Sequence, residues 1–288
     1  MIIDPEVLLR AYAVGLFPMA DSREDEEVFW VEPKDRAILP LDGFHLSRSL
    51  RKTLRRDVFT ISCNSAFAEV VDLCAEAAPD RRESWINPTI RESYQLLHQL
   101  GHAHSIECWQ NAALVGGLYG VSLGRVFCGE SMFSRQRDAS KVALCALVAA
   151  MRYGGFTLLD CQFMTDHLAS MGAIEISQDE YLERLDEALQ GSAYERPAAR
   201  RPRLYGTAGG GGSSAGTVSA GVGGAAGAGP AGAEAEASLP DAFSELLSAA
   251  GADERRAGAD SDDCDALDPA TGSSSPGKLI AQSLTQTS

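Results

Sequence analysis

The stretch ASKVALCALVAAMRYGGFTLLDCQ, residues 139–162, decides how the chain is read. Its first part, ASKVALCALVAAMRY, predicts a long helix that stops at Gly154-Gly155. FTLLDCQ then predicts a strand, ending on an acid, a thiol and an amide. Strand side chains alternate, so Asp160 and Gln162 share a face and Cys161 takes the opposite one, where packing is its expected role. A buried Asp and a buried Gln cost free energy unless they are partnered. A core strand that carries both raises the question of what partners them.

Working outward, AHSIECWQ, ALVGGLYGVSLG and RVFCGESMFS precede the helix as three successive β segments. DHLASMG follows the strand as a short helix, AIEIS as a last strand and DEYLERLDEAL (179–189) as a closing helix. Residues 102–190 thus read β-β-β-α-β-α-β-α. A helix joining two strands of one sheet favours a mixed sheet with a crossover.

Residues 1–100 predict a smaller domain of helices and strands. PEVLLRAYAVGLFP (5–18) is a helix with Pro5 in its first turn and Gly15 at its end. DSREDEEV is a loop, and VFWVEP and RAILPL are two short strands around a turn. HLSRSLRKTLRR is a helix, VFTISCN a strand, and SAFAEVVDLCAEAA a helix capped by Ser65. WINPTIRESYQLLHQLG is a further helix, from near Pro88 to Gly101.

From Gly206 the composition changes to GTAGGGGSSAGTVSAGVGGAAGAGPAGAEAEA, which buries too little apolar surface to offset ordering entropy. The expectation is a catalytic unit at 101–205 and a disordered tail at 206–288. Within the tail only SLPDAFSELLSAAGA (238–252) has helical character, with Phe243, Leu246 and Leu247 on one side. Charge divides in the same way. Residues 1–205 hold 22 Lys/Arg against 29 Asp/Glu, and the tail holds 3 against 11. The overall −15 therefore says little about the folded part.

One basic run stands out there: Arg48, Arg51, Lys52, Arg55 and Arg56 fall on one helical face, opposite Leu46, Leu50 and Leu54. Such a stripe suits phosphates, and spacing alone equally fits a solvated charged face. Seven cysteines without a CxxC pair point to reduced thiols and a cytoplasmic protein. VLLRAYAVGLFPMA has the apolar look of a signal segment, but it follows Asp4 and Glu6 and is interrupted by Arg10. No stretch reaches membrane-spanning length, so the expectation is a soluble protein with no membrane partner. His98, His102 and His104 lie close together without a fourth ligand nearby, and no metal site is expected from them.

GESMFSRQRDASK (129–141) closes the third strand of the second region and enters the long helix, with Asp138 or Ser140 as its cap. Glu130 ends an apolar strand, which brings it towards Asp160. Two acids and an amide at adjacent strand ends make either a polar pocket in an apolar wall or a set of ties to loop amides.

HSIECW, LVGGLYGVSLGRVFCGESMFS, ASKVAL, LLDCQ and DHLASMGA together closely resemble the leucyl/phenylalanyl-tRNA–protein transferase family. GLFPMA, FWVEPKDRAILPL and SWINPTI fit the same family, so the resemblance runs from about residue 5 to 190. It implies an α+β fold: a small N-terminal domain and a C-terminal domain with a mixed sheet like that of acyl-CoA N-acyltransferases. It also implies movement of Leu or Phe, less efficiently Met, from aminoacyl-tRNA to the N-terminal Arg or Lys of a protein. The product carries a destabilising N-terminus read by the bacterial degradation machinery. A monomer without a cofactor is expected.

By the resemblance, Asp160 and Gln162 are the catalytic pair. An α-amine of pKa roughly 8 is partly neutral near pH 7, so no strong base is needed to make it attack the ester. Gln162 would accept a hydrogen bond from the amine while Asp160 orients the amide, and Glu130 would bind the incoming cationic residue or support the pair. The amino-acid pocket is expected from Leu118, Phe127, Ser131, Met132, Phe133, Leu147 and Met151, with Trp30 from the other domain. Leu147 and Met151 stand where some members carry aromatics, which leaves open the order of preference among Leu, Phe and Met. Trp85 and Tyr94 match positions on the terminal adenosine, where stacking is worth roughly 1–3 kcal/mol. The basic helix becomes the site for acceptor-stem phosphates. Two rivals are weaker. An acyl-CoA enzyme needs a glycine-rich entry to the long helix, and SRQRDAS has no glycine; a silent tRNA-binding adaptor has no use for Asp160, Gln162 and Glu130 together.

Overall fold

The computed structural model describes residues 2–76, 84–195, 238–257 and 275–285. Helix α1 (Pro5–Ala13) starts on Asp4, whose carboxylate accepts the amides of Glu6 and Val7. It stops where Gly15 takes a φ of +84°. Strands β1 (Phe17–Met19) and β2 (Phe29–Val31) then pair with each other as a small antiparallel ribbon. The pairing expected between VFWVEP and RAILPL is corrected here. Strand β3 (Asp35–Ile38) leaves β2 and lies between two distant strands of the main sheet. Ala37, Ile38 and Leu39 are almost fully buried there, a burial that a narrow two-stranded ribbon does not supply.

Helix α2 (Arg48–Arg55) is capped by Ser47, and strand β4 (Thr60–Cys63) follows. Helix α3 (Phe67–Cys74) begins one residue later than the Ser65 cap predicts and has no side-chain cap. Glu107 stands in, accepting the Ala66 amide at 3.4 Å. Helix α4 (Pro88–Gln99) has Asn87 as its cap and Pro88 in its first turn. Strands β5 (Ala103–Gln110), β6 (Ala113–Leu123) and β7 (Val126–Ser134) form an antiparallel meander. Helix α5 (Ala139–Tyr153) crosses over to β8 (Leu158–Gln162), which runs parallel to β7. The short helix α6 (Asp166–Ala169), β9 (Ile174–Ser177) and α7 (Gln178–Leu189) complete this part.

The seven-stranded mixed sheet has the order β4-β5-β6-β7-β8-β3-β9. The expected crossover sheet is present, and it is wider than 102–190: β3 and β4, from the first 100 residues, are hydrogen-bonded into it. Its two faces carry separate apolar clusters, one under α2 and α5 and the other under α1, α3, α4 and α7. Strand alternation splits β8 between them, with Leu159 in the first and Leu158 in the second. Helix α5 lies against β6 closely enough that a Cβ on Gly116 would come within 2.5 Å of the Ala139 Cβ. Glycine at that point lets the start of α5 settle against β6.

The disordered tail expected at 206–288 is corrected in part; 206–237 and 258–274 lie outside the described residues. Helix α8 (Leu239–Ala257) buries Leu239, Phe243 and Leu246 in the cluster under α5, and Ala242 is buried as well. Leu247, placed with Phe243 and Leu246 by the sequence, packs at its edge. Helix α9 (Pro276–Ser283) buries Ile280 and Ala281 beside α2 and α5. Asp57 accepts the Gly277 amide at 2.9 Å, and Arg152 donates to the Ser283 carbonyl at 3.0 Å. A helix weak by itself forms when a groove buries its apolar side.

Phe243→Asp should undock α8 and α9 together. Hydrogen exchange in 239–248 and 276–284 is expected to quicken while β5–β8 keep their protection; unchanged exchange there would contradict the packing described.

Candidate active site

Asp160 is fully buried. Its two oxygens accept a forked pair of bonds from Arg36, at 2.9 Å from Nε and 2.6 Å from Nη2. Tyr181 donates its hydroxyl to the same carboxylate at 3.0 Å, and the Gln162 backbone N–H donates at 2.9 Å. Arg36 is itself 1 % exposed, lies between the rings of Phe17 and Tyr181, and donates to the Gly15 carbonyl at 2.9 Å. Burial works against the guanidinium charge, and the Asp160 carboxylate overcomes it, so Arg36 holds its proton more tightly than usual. Sequence reading missed Arg36. Its signal was an arginine inside the apolar run RAIL, which needs an anionic partner in a core.

Gln162 has a φ of +62°, the left-handed region that non-glycine residues rarely occupy. The strand ends there, with Gln162 at the lip of the cavity. Its Nε2 donates to Glu130 at 2.9 Å. Glu130 is the extra residue of a β-bulge: Tyr119 pairs with Ser131 and Gly120 with Gly129, leaving Glu130 between them. Its carboxylate also accepts the hydroxyls of Tyr12 at 2.7 Å and Tyr94 at 2.8 Å. Burial pushes the Glu130 carboxyl up to about 7, against the pull of the Tyr12, Tyr94 and Gln162 hydrogen bonds. The expected orienting role is corrected in its details. Glu130 holds the Gln162 amide group, and Asp160 holds the Gln162 backbone.

A cavity of about 670 Å³ opens over this network. Of the expected residues, Trp85, Leu118, Glu130, Ser131, Met132, Phe133, Leu147 and Gln162 line it. Asp160 does not; it sits behind Gln162 in its ion pair. Tyr94 is fully buried with its hydroxyl on Glu130, so it has no free face for a base. Phe127 and Met151 are core residues on the α5 side, and Trp30 lies across from Pro18 on the outer ribbon, 40 % exposed and off the cavity. Sequence reading missed Ser140 and Leu144, which share with Leu147 one face of α5 at helical spacing. It also missed Leu159 and Cys161, since the cavity lies on the face of β8 opposite Asp160. Burial pushes the Cys161 thiol up, so it lines the wall as a neutral group.

The five cations are all exposed, with Leu46, Leu50 and Leu54 buried beneath them. Arg48, Arg51, Lys52 and Arg55 lie on α2 and Arg56 caps its end. The Thr53 hydroxyl of this helix donates at 3.4 Å to Asp138, the residue before α5, which ties the stripe to the cavity wall. Of the expected α5 caps, Asp138 takes the N-cap position without a side-chain cap bond, and the Ser140 amide donates to the Ser134 hydroxyl. His98 stacks on Phe67, and His104 faces Asn64 with burial lowering it to about 4.

The family model described as "Leucyl/phenylalanyl-tRNA protein transferase" matches residues 38–186, and the one for its N-terminal domain matches residues 1–34. The chain belongs to this family. A leucyl/phenylalanyl-tRNA–protein transferase of Novosphingobium aromaticivorans is 55 % identical over 99 % of this chain and 97 % of its own length. Those of Zymomonas mobilis and Rhizorhabdus wittichii are 64 % and 63 % identical over 65 % of this chain, and 70 % and 75 % of their own lengths. Among solved structures, L-PGS from Bacillus licheniformis matches with a TM-score of 0.32 at 14 % identity, over 56 % of this chain and 53 % of that one. Within the leucyl/phenylalanyl-tRNA–protein transferase family, the boundary between the two matched regions falls between β2 and the end of β3, where the outer ribbon gives way to the main sheet. Among the described residues, no helix is long and apolar enough to cross a membrane.

Glu130 makes a pH signature. The folded chain keeps its proton up to about 7, whereas an unfolded chain releases it near 4.5, so stability falls as pH rises across that window. Glu130→Gln removes this slope. Urea unfolding from pH 5 to 8 is expected to show the variant gaining up to about 3 kcal/mol on wild type; a constant difference would contradict the assignment.

Proposed function

We propose that the chain transfers Leu or Phe, less efficiently Met, from aminoacyl-tRNA to the N-terminal Arg or Lys of acceptor proteins, marking them for degradation. The family membership and the intact network beneath the cavity support this reading. The acceptor's α-amine attacks the ester carbonyl of the aminoacyl-tRNA. A C–N bond forms, the C–O bond to the terminal ribose breaks, and the proton lost by the amine ends on the ribose oxygen.

The observation that carries the mechanism is the bond from Gln162 Nε2 to Glu130. With the amide nitrogen held, Oε1 is left to accept from the α-amine and aim its lone pair. Asp160 already accepts two bonds from Arg36, one from Tyr181 and one from the Gln162 backbone. Its lone pairs are spent, so it acts as the anchor of the left-handed Gln162 and not as the base. Proton loss from the amine falls to solvent or the ribose.

In this reading, Leu118, Met132, Phe133 and Leu147 receive the amino-acid side chain, with Leu144, Leu159 and Leu168 completing the apolar wall. The cavity falls within the roughly 300–1,000 Å³ usual for small-ligand sites. Trp85 offers its ring to the terminal adenosine and the α2 stripe faces the acceptor-stem phosphates. The β7-α5-β8 crossover is the part shared with acyl-CoA N-acyltransferases. The protein works in the cytoplasm as a monomer and needs no cofactor.

The test is transfer of labelled leucine from Leu-tRNA to a peptide starting with Arg. Gln162→Ala should lower kcat about 10²-fold with the KM for Leu-tRNA little changed, and full activity of Asp160→Ala would remove the mechanism. Neutralising Arg48, Arg51 and Arg55 should raise the KM for aminoacyl-tRNA and flatten its salt dependence, by about 0.7–0.9 in log–log slope for each phosphate no longer neutralised. An unchanged slope would remove the stripe from the tRNA site.

A further inference from the structure

The acceptor proposed above brings a cationic side chain next to the α-amine, and something must tell it from a neutral or acidic one. Among the described residues lining the cavity, two carry carboxylates, Glu130 and Glu76. Glu130 is unsuited. It is 9 % exposed, and Tyr12, Tyr94 and Gln162 take three of the acceptor positions of its carboxylate. A guanidinium reaching it would have to displace the amide that the reaction uses.

Glu76 has the opposite character. It stands just past the end of α3, and its side chain is 53 % exposed at the edge of the same cavity. It already holds a guanidinium: Arg135 Nη2, from the residue following β7, lies 2.8 Å from its Oε2. A second guanidinium is drawn to this helix end, where Arg23 donates to the Ala75 carbonyl at 3.4 Å. The C-terminal carbonyls of a helix add negative potential that favours cations. Ion pairs this exposed are weak and exchange readily, so the Arg135 guanidinium marks a place that another guanidinium or ammonium can take.

We propose that Glu76 is the specificity-determining carboxylate for the acceptor, receiving the cationic side chain of its N-terminal residue in exchange for Arg135. The α-amine then faces Gln162 while the side chain spans the mouth of the cavity. An acidic N-terminal residue is repelled by Glu76 and finds Arg135 already paired. This inference rests on the acceptor reading of the previous subsection, and the experiment separates the two.

The full chain is assayed with Leu-tRNA and peptides starting with Arg, Lys, citrulline (the neutral isostere of Arg) or Asp. If wild type accepts citrulline as well as Arg, the acceptor reading itself fails. Given a wild-type preference for Arg and Lys, Glu76→Gln should raise the KM for both about five- to tenfold. The KM for Leu-tRNA, kcat and the citrulline reaction should stay as in wild type. Glu76→Lys should lose Arg peptides further and gain Asp peptides, and Arg135→Ala, which removes the competing guanidinium, should lower the KM for Arg peptides. Retention of the wild-type Arg:citrulline ratio in both Glu76 variants would overturn the proposal. So would a fall in kcat for every peptide alike.

Discussion

Everything at the cavity end of the sheet hangs on one buried ion pair, Arg36 with Asp160. Two charges taken out of water cost several kcal/mol each, and their attraction offsets this only with close geometry and filled hydrogen-bonding sites. Both conditions are met. The fork is bidentate, Tyr181 and Gly15 take the remaining positions, and aromatic rings cover the guanidinium on both sides. The pair is also a topological clasp, because Arg36 lies on β3 and Asp160 on β8, two strands far apart in sequence and adjacent in the sheet. Through it the N-terminal part of the chain and the parallel β7–β8 unit become one frame.

That frame carries strain at the lip of the cavity. Gln162 occupies a left-handed backbone conformation that costs of order 1 kcal/mol or more. Asp160 stabilises it by accepting the Gln162 amide, and Glu130 fixes the side chain that results. Glu130 is in turn displaced from regular pairing by a bulge and held by two tyrosines from α1 and α4. Each departure from regular structure redirects one side chain towards the same cavity. The apolar wall opposite is ordinary by comparison: α5 presents one helical face, and the odd-numbered residues of β8 present theirs.

The helices with strong local signals were legible from residue types alone. Pro88 starts α4, and Gly154-Gly155 ends α5. The crossover from β7 to β8 followed from strand, helix and strand in sequence. The pairing of β3 did not, because nothing near Asp35–Ile38 records that its partners lie more than 100 residues away. Eight of the 23 residues that line the cavity could be named from the motifs. Tyr94 and Phe127 were placed on the wrong side of the network because a motif gives identity without direction. The docking of α8 and α9 was illegible for a related reason: their short apolar sides become stable only against a groove already built by α2 and α5.

What the sequence by itself determined is the inventory: an amphipathic basic helix, a long apolar helix entering a strand, and an acid and an amide at that strand's end. Alternation also determined that Cys161 turns away from Asp160. Only the tertiary structure decided what those groups do for one another. The carboxylate of Asp160 is an anchor because Arg36 arrives from β3 to claim it. Gln162 lines the cavity with its amide nitrogen on Glu130, a partner brought from β7. Local rules set which residues are polar and where strands end. The energy of burying a charge is settled by its neighbours in space, and those come from the whole fold.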